Sequence, residues 1–82
     1  MKLCKSCAGH DKGIWHIVVR EEAGFAYIAD GRRRKLDKPK RKNIKHLQIT
    51  NKTINLEFYT DKSLRKALWD YNFGNGEDET FG

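Results

Sequence analysis

Ile14-Trp15-His16-Ile17-Val18-Val19-Arg20-Glu21-Glu22-Ala23-Gly24-Phe25-Ala26-Tyr27-Ile28-Ala29-Asp30-Gly31 is the stretch that decides the fold. β-branched and aromatic residues dominate it, so Ile14 to Arg20 reads as a strand and Phe25 to Ala29 as its returning partner. Glu21-Glu22-Ala23-Gly24 has the length of a hairpin connection, and Gly24 can take the left-handed position such a turn needs. Asp30-Gly31 is a second hairpin signal. The alternation along the first strand is not clean. Trp15, Ile17 and Val19 fill one face, yet Ile14 and Val18 sit on the other with His16 and Arg20. Trp15, Ile17 and Val19 are expected to point inward.

Upstream, Lys2 to Ser6 is a short strand candidate whose apolar content is Leu3 and Cys4, and Ala8 to Gly13 is turn chemistry. Downstream, Pro39 forbids a continuous helix or central strand through the segment it interrupts. Ile44 to Thr50 is a candidate closing strand. Thr53 to Tyr59 alternates, with Ile54, Leu56 and Phe58 on one side, which predicts a further half-buried strand. Thr60 is a good helix N-cap with Asp61 in the first turn. Leu64, Ala67, Leu68 and Tyr71 then recur at helical spacing until Gly74. The expected architecture is mostly β: a small curled sheet over residues 1–50, then an extra strand and a C-terminal helix over 51–74 that packs on it. Residues 75–82 read as a mobile acidic tail.

The chain has 82 residues, of which 38% are hydrophobic and 34% charged, enough for one small core. A domain of this size buries about 60–65% of its unfolded surface. The longest apolar run is Phe25 to Ala29, against the roughly 20 residues a membrane-spanning helix needs. No signal-peptide core follows Met1, so a cytoplasmic protein is expected, without a membrane partner. Two cysteines in a reducing compartment do not make a disulfide framework.

The net charge is +6, and its distribution is uneven. Arg32 to Lys45 holds nine cations and one anion, Asp37, a net of +8 in fourteen residues. The remaining eight cations face ten anions, a net of −2. A field concentrated in this way attracts a polyanion, phosphate backbone above all; an acidic protein or membrane surface is the lesser possibility.

Other constellations are weaker. Cys4 and Cys7, with His10 and His16 downstream, make half of a zinc site, but the second ligand pair is missing. Cys4 reads better as a small apolar strand residue and Cys7 as a surface thiol. No metal and no other cofactor is expected. Ser6, Ser63 and the three histidines lie in no nucleophile elbow or recognisable triad order, and no phosphate-binding glycine loop is present, so an enzyme is not expected. Trp15, Phe25 and Tyr27 could stack on unpaired bases, although a core this small also needs them.

Ala8-Gly9-His10-Asp11-Lys12-Gly13, the apolar strand after it, and Ala29-Asp30-Gly31 closing the next strand together resemble a KOW motif. The stretch from Asp30 to Gln48 is similar to that of small bacterial KOW-domain RNA-binding proteins related to the large-subunit ribosomal proteins of eukaryotes and archaea. The likeness covers roughly residues 3–50. It implies an SH3-like β-barrel and a non-enzymatic RNA-binding module, ribosomal or ribosome-associated. Its partners would be ribosomal RNA and ribosomal proteins, with the free protein monomeric. The binding residues it implies, together with the charge run, are His10, Lys12, Gly13, Arg32, Arg33, Arg34, Lys35, Lys38, Lys40, Arg41, Lys42, Lys45 and His46, with Asp11 in the same loop. This chain has His10 where such proteins usually place arginine, which makes that loop less cationic. The alternative is a protein-interaction KOW module of the transcription–translation machinery.

Overall fold

The structure is a computed structural model that describes residues 1–74. The described residues form five strands, a 3₁₀ turn and one helix: β1 (Lys2–Ser6), β2 (Trp15–Glu22), β3 (Phe25–Ala29), β4 (Lys40–Asn43), the 3₁₀ turn Ile44–His46, β5 (Leu47–Thr53) and α1 (Asp61–Phe73). The strands pair antiparallel throughout in one sheet of order β4-β3-β2-β1-β5. No helix among these residues is long and apolar enough to cross a membrane. The acidic tail expected over 75–82 lies outside the described residues.

The β2–β3 hairpin forms where its sequence predicts, but with a tighter turn than the expected Glu21–Gly24 connection, since Glu21 and Glu22 belong to β2. Glu22 pairs with Phe25, and Ala23 and Gly24 both take positive φ, 49° and 86°, as a two-residue turn of the I′ type requires. The second hairpin signal behaves differently. Asp30-Gly31 does turn the chain, with Gly31 at φ 81°, but it opens a ten-residue loop instead of a tight hairpin. The carboxylate of Asp30 accepts from the backbone N–H groups of Arg32 and Arg34, both at 2.9 Å, and holds that loop in place. β4 starts directly after Pro39 and pairs with β3 alone, an edge position that tolerates the proline.

β4 and β5 lie at opposite edges of the sheet, yet only Ile44–His46 joins them. In a flat sheet four strand spacings would set the edges roughly 19 Å apart. A three-residue 3₁₀ turn rises only about 6 Å. The sheet must therefore curl until its edges approach at that end. Register shifts between Val18 and Arg20 in β2, and between Lys2 and Cys4 in β1, supply local bending.

The curl makes two cores from one sheet. Cys4, Val18, Ala26 and Ile28 pack on one side of the sheet, flanked by Ile44, Leu47 and Ile49. Leu3, Ile17, Ala29 and Leu36 pack on the other side beneath Leu64 and Leu68 of α1, flanked by Trp15, Val19, Ile54, Leu56 and Tyr71. Both faces of β2 are thus covered. Trp15, Ile17 and Val19 do face one core, but Val18 and His16 are buried on the opposite face. That double burial is the physical reason for the imperfect alternation.

The strand expected over Thr53 to Tyr59 is a correction. β5 ends at Thr53, and the chain bends back toward α1. Ile54 and Leu56 still reach the core, but Phe58 is 63% exposed and contributes no matching surface. α1 begins as predicted: the Thr60 hydroxyl accepts from the Ser63 N–H at 3.2 Å, and Asp61 opens the first turn. At its other end Asn72 accepts from the Trp15 N–H (2.8 Å) and donates to the Trp15 carbonyl (3.2 Å). This satisfies β2 where β3 has already ended.

Candidate nucleic-acid interface

The loop Ala8–Gly13 and the basic segment are about thirty residues apart in the chain, and one buried ion pair joins them. Lys42 Nζ donates to Asp11 Oδ1 and to the Ala8 carbonyl, both at 2.6 Å, and the Ser6 hydroxyl donates to the same carboxylate oxygen at 2.9 Å. Lys40 Nζ stands 3.9 Å from Asp11 Oδ2, which makes no hydrogen bond among the described residues. Burial would raise the Asp11 carboxyl's pKa, but the hydrogen bonds from Lys42 and Ser6, with the charges of Lys42 and Lys40, outweigh it and hold the group at about 2.

Next to this pair His16 is 1% exposed. Burial pushes its pKa below the ordinary imidazole value, against the opposing pull of Asp30, the Ile14 carbonyl and Asp11. Its Nδ1 lies 3.0 Å from the Ile14 carbonyl. A carbonyl can only accept, so the neutral ring carries its proton on Nδ1. Cys4, opposite His16 in the β1–β2 ladder, is buried, and burial pushes its thiol up to about 12. Cys7 is exposed.

The consequences for the expected binding residues differ from one to the next. Lys42, grouped with the outward cations by sequence, is buried and neutralised. It faces inward because alternation along β4 sends Lys40 and Lys42 to one face and Arg41 to the other. Asp11 is buried as well, so the only acid of the Ala8–Gly13 loop does not face solvent. His10, Lys12 and Gly13 remain exposed on that loop. The Cys7 N–H donates to the His46 carbonyl at 2.8 Å, which sets exposed His46 and Lys45 beside it. Arg32, Arg33, Lys35 and Lys38 are exposed on the ten-residue loop, while Arg34 is half-buried and its carbonyl accepts from Asp30 and Gly31. Gly13 and Arg33 line one hollow of about 340 Å³. Arg33, Lys40 and His46 are thus brought close to the Ala8–Gly13 loop, at Gly13, Asp11 and the neighbouring Cys7 respectively.

The aromatic candidates have mixed settings. Trp15 is half-buried against Tyr71, ring centroids 5.6 Å apart. Phe25 and Tyr27 are half-buried beneath guanidiniums, Arg41 at 4.5 Å from the Phe25 centroid and Arg20 at 3.9 Å from that of Tyr27. Sequence reasoning passed over Trp69 and Phe73, which are both exposed on α1. Their signal was present: they sit four residues apart, off the stripe of Leu64, Leu68 and Tyr71, behind Arg65 and Lys66.

Compared with known proteins, the chain matches no family model and no curated protein.

Proposed function

We propose that this protein is a non-enzymatic RNA-binding module built on a small SH3-like barrel of the KOW kind, and that it acts on ribosomal RNA as a ribosomal or ribosome-associated protein. One observation carries the reading. Arg32, Arg33, Lys35, Lys38, Arg41 and Lys45 all face solvent, while Asp11, the acid of the Ala8–Gly13 loop, is buried. The site therefore presents cations with little internal compensation, which suits a chain of phosphates. The 3₁₀ link that draws the two edge strands together supports the barrel part of the reading.

Contacts of this kind release condensed counterions. For about five phosphate contacts, affinity should fall with salt at a log–log slope of about −4 to −5. Replacing Arg33 or Arg41 by glutamine is expected to weaken all RNAs alike and flatten the slope by about one. Fluorescence anisotropy with ribosomal RNA fragments measures both. A shallow slope, with no affinity for RNA at physiological salt, would instead favour a protein-interaction module using the same charges.

A further inference from the structure

α1 turns Leu64 and Leu68 into the core, and its outer face carries two large aromatics that the core does not use. Trp69 is 53% and Phe73 52% exposed, and their ring centroids lie 4.5 Å apart. Cations outnumber acids beside them, with exposed Asp70 the acid next to Trp69 in the helix. Arg32 reaches over from the basic loop to within 5.0 Å of the Phe73 centroid. Arg32, Lys62, Arg65, Lys66 and Trp69 line a hollow of about 390 Å³, and Arg32 and Phe73 also line the hollow shared by Gly13 and Arg33. The aromatic pair is thus continuous with the loop already assigned to phosphate.

We propose that the outer face of α1 is a stacking site for unpaired nucleotides, with Trp69 and Phe73 taking the bases and Arg32, Lys62 and Lys66 the flanking phosphates. This rests on the RNA-binding reading and names the form of RNA that it prefers. Exposed flat rings alone would suit many partners, and the charge around them selects among these. A second copy placed face to face would bring like cations together. A perfect duplex satisfies the cations but keeps its bases stacked inside, out of reach of the rings. An unpaired segment offers both phosphates and open base faces.

The test is fluorescence anisotropy of the full chain with a short unstructured RNA and with the blunt duplex of the same length. In a Trp69→Ala/Phe73→Ala variant, affinity for the single strand should fall roughly thirtyfold or more. Duplex affinity should stay the same, and Trp69→Tyr should keep most single-strand binding. The unmodified protein provides a second measurement that needs no variant. Tryptophan emission should fall on adding the single strand and not the duplex, because Trp15, the other tryptophan, is half-buried against Tyr71. If the unmodified protein binds RNA but shows no quenching, and the variant binds single strands equally well, the stacking site is wrong while RNA binding stands. If the unmodified protein binds neither RNA, the broader reading fails and takes this one with it. A variant that loses only self-association in sedimentation would reassign the face to contact between copies.

Discussion

Asp11 and Lys42 each have almost no contact with water, and their pairing fixes the position of the loop that carries His10 and Lys12. Removing one partner would strand the other's charge in the interior, at a cost of about 3–5 kcal/mol. The pair also makes stability depend on pH. Asp11 titrates at about 2 when folded against 3.8 ordinarily, so its contribution is fully present above the ordinary value. It is lost as pH falls through about 2, and amounts to about 2–3 kcal/mol. His16 adds a separate step of the same sign at higher pH. Its folded pKa is depressed by burial, so the unfolded chain takes up a proton first as pH falls below 6.5. Stability should then decline from near-neutral pH until the buried ring is itself protonated. Urea midpoints measured from neutral to strongly acid pH should show two descents, and His16→Gln should remove the upper one alone.

At the scale of elements, α1 both roofs a core and holds the basic loop. The Asp61 carboxylate accepts from the Leu36 N–H at 2.8 Å, and Arg65 Nη1 donates to the Gly31 carbonyl at 2.8 Å. Leu36 is buried beside Leu64 and Leu68. Gly31 lies so close to the helix that an added Cβ would come 2.6 Å from the Asp61 carbonyl oxygen and 3.1 Å from the Arg65 nitrogen. Gly13 has a similar φ of 86° but open space around it. Gly13→Ala should therefore cost about 1–2 kcal/mol for the left-handed backbone alone. Gly31→Ala should cost about 1–3 kcal/mol more for the collision, and chemical denaturation of the two variants checks the difference. Leu68→Ala tests the roof itself and should cost about 2–4 kcal/mol by the same measurement. A cost near zero would mean that α1 does not hold the core.

Over the whole molecule, one curled sheet is buried on both sides, and the positive charge is divided between inside and outside. The strands from Lys2 to Ala29 and the helix from Asp61 were legible in the sequence because local chemistry suffices for them. β-branched runs, a glycine-bearing turn and a capped apolar stripe each specify their element within a few residues. The strand expected after Thr53 was misread because alternating residues can bury their apolar members without a ladder partner. Ile54 and Leu56 do so from an irregular segment. Charge in the basic segment was visible by counting, but not its direction. Lys42 differs from Arg41 only by one position on an edge strand, and that position decides between solvent and the carboxylate of Asp11. Likewise the sequence placed Trp69 and Phe73 on a helix, but only the tertiary structure brought Arg32 over them. The sequence by itself thus determined the elements and the sum of the charges, since both depend on near neighbours. The tertiary structure alone decided which cations face outward and what they surround, because burial and ion pairing join residues far apart in the chain.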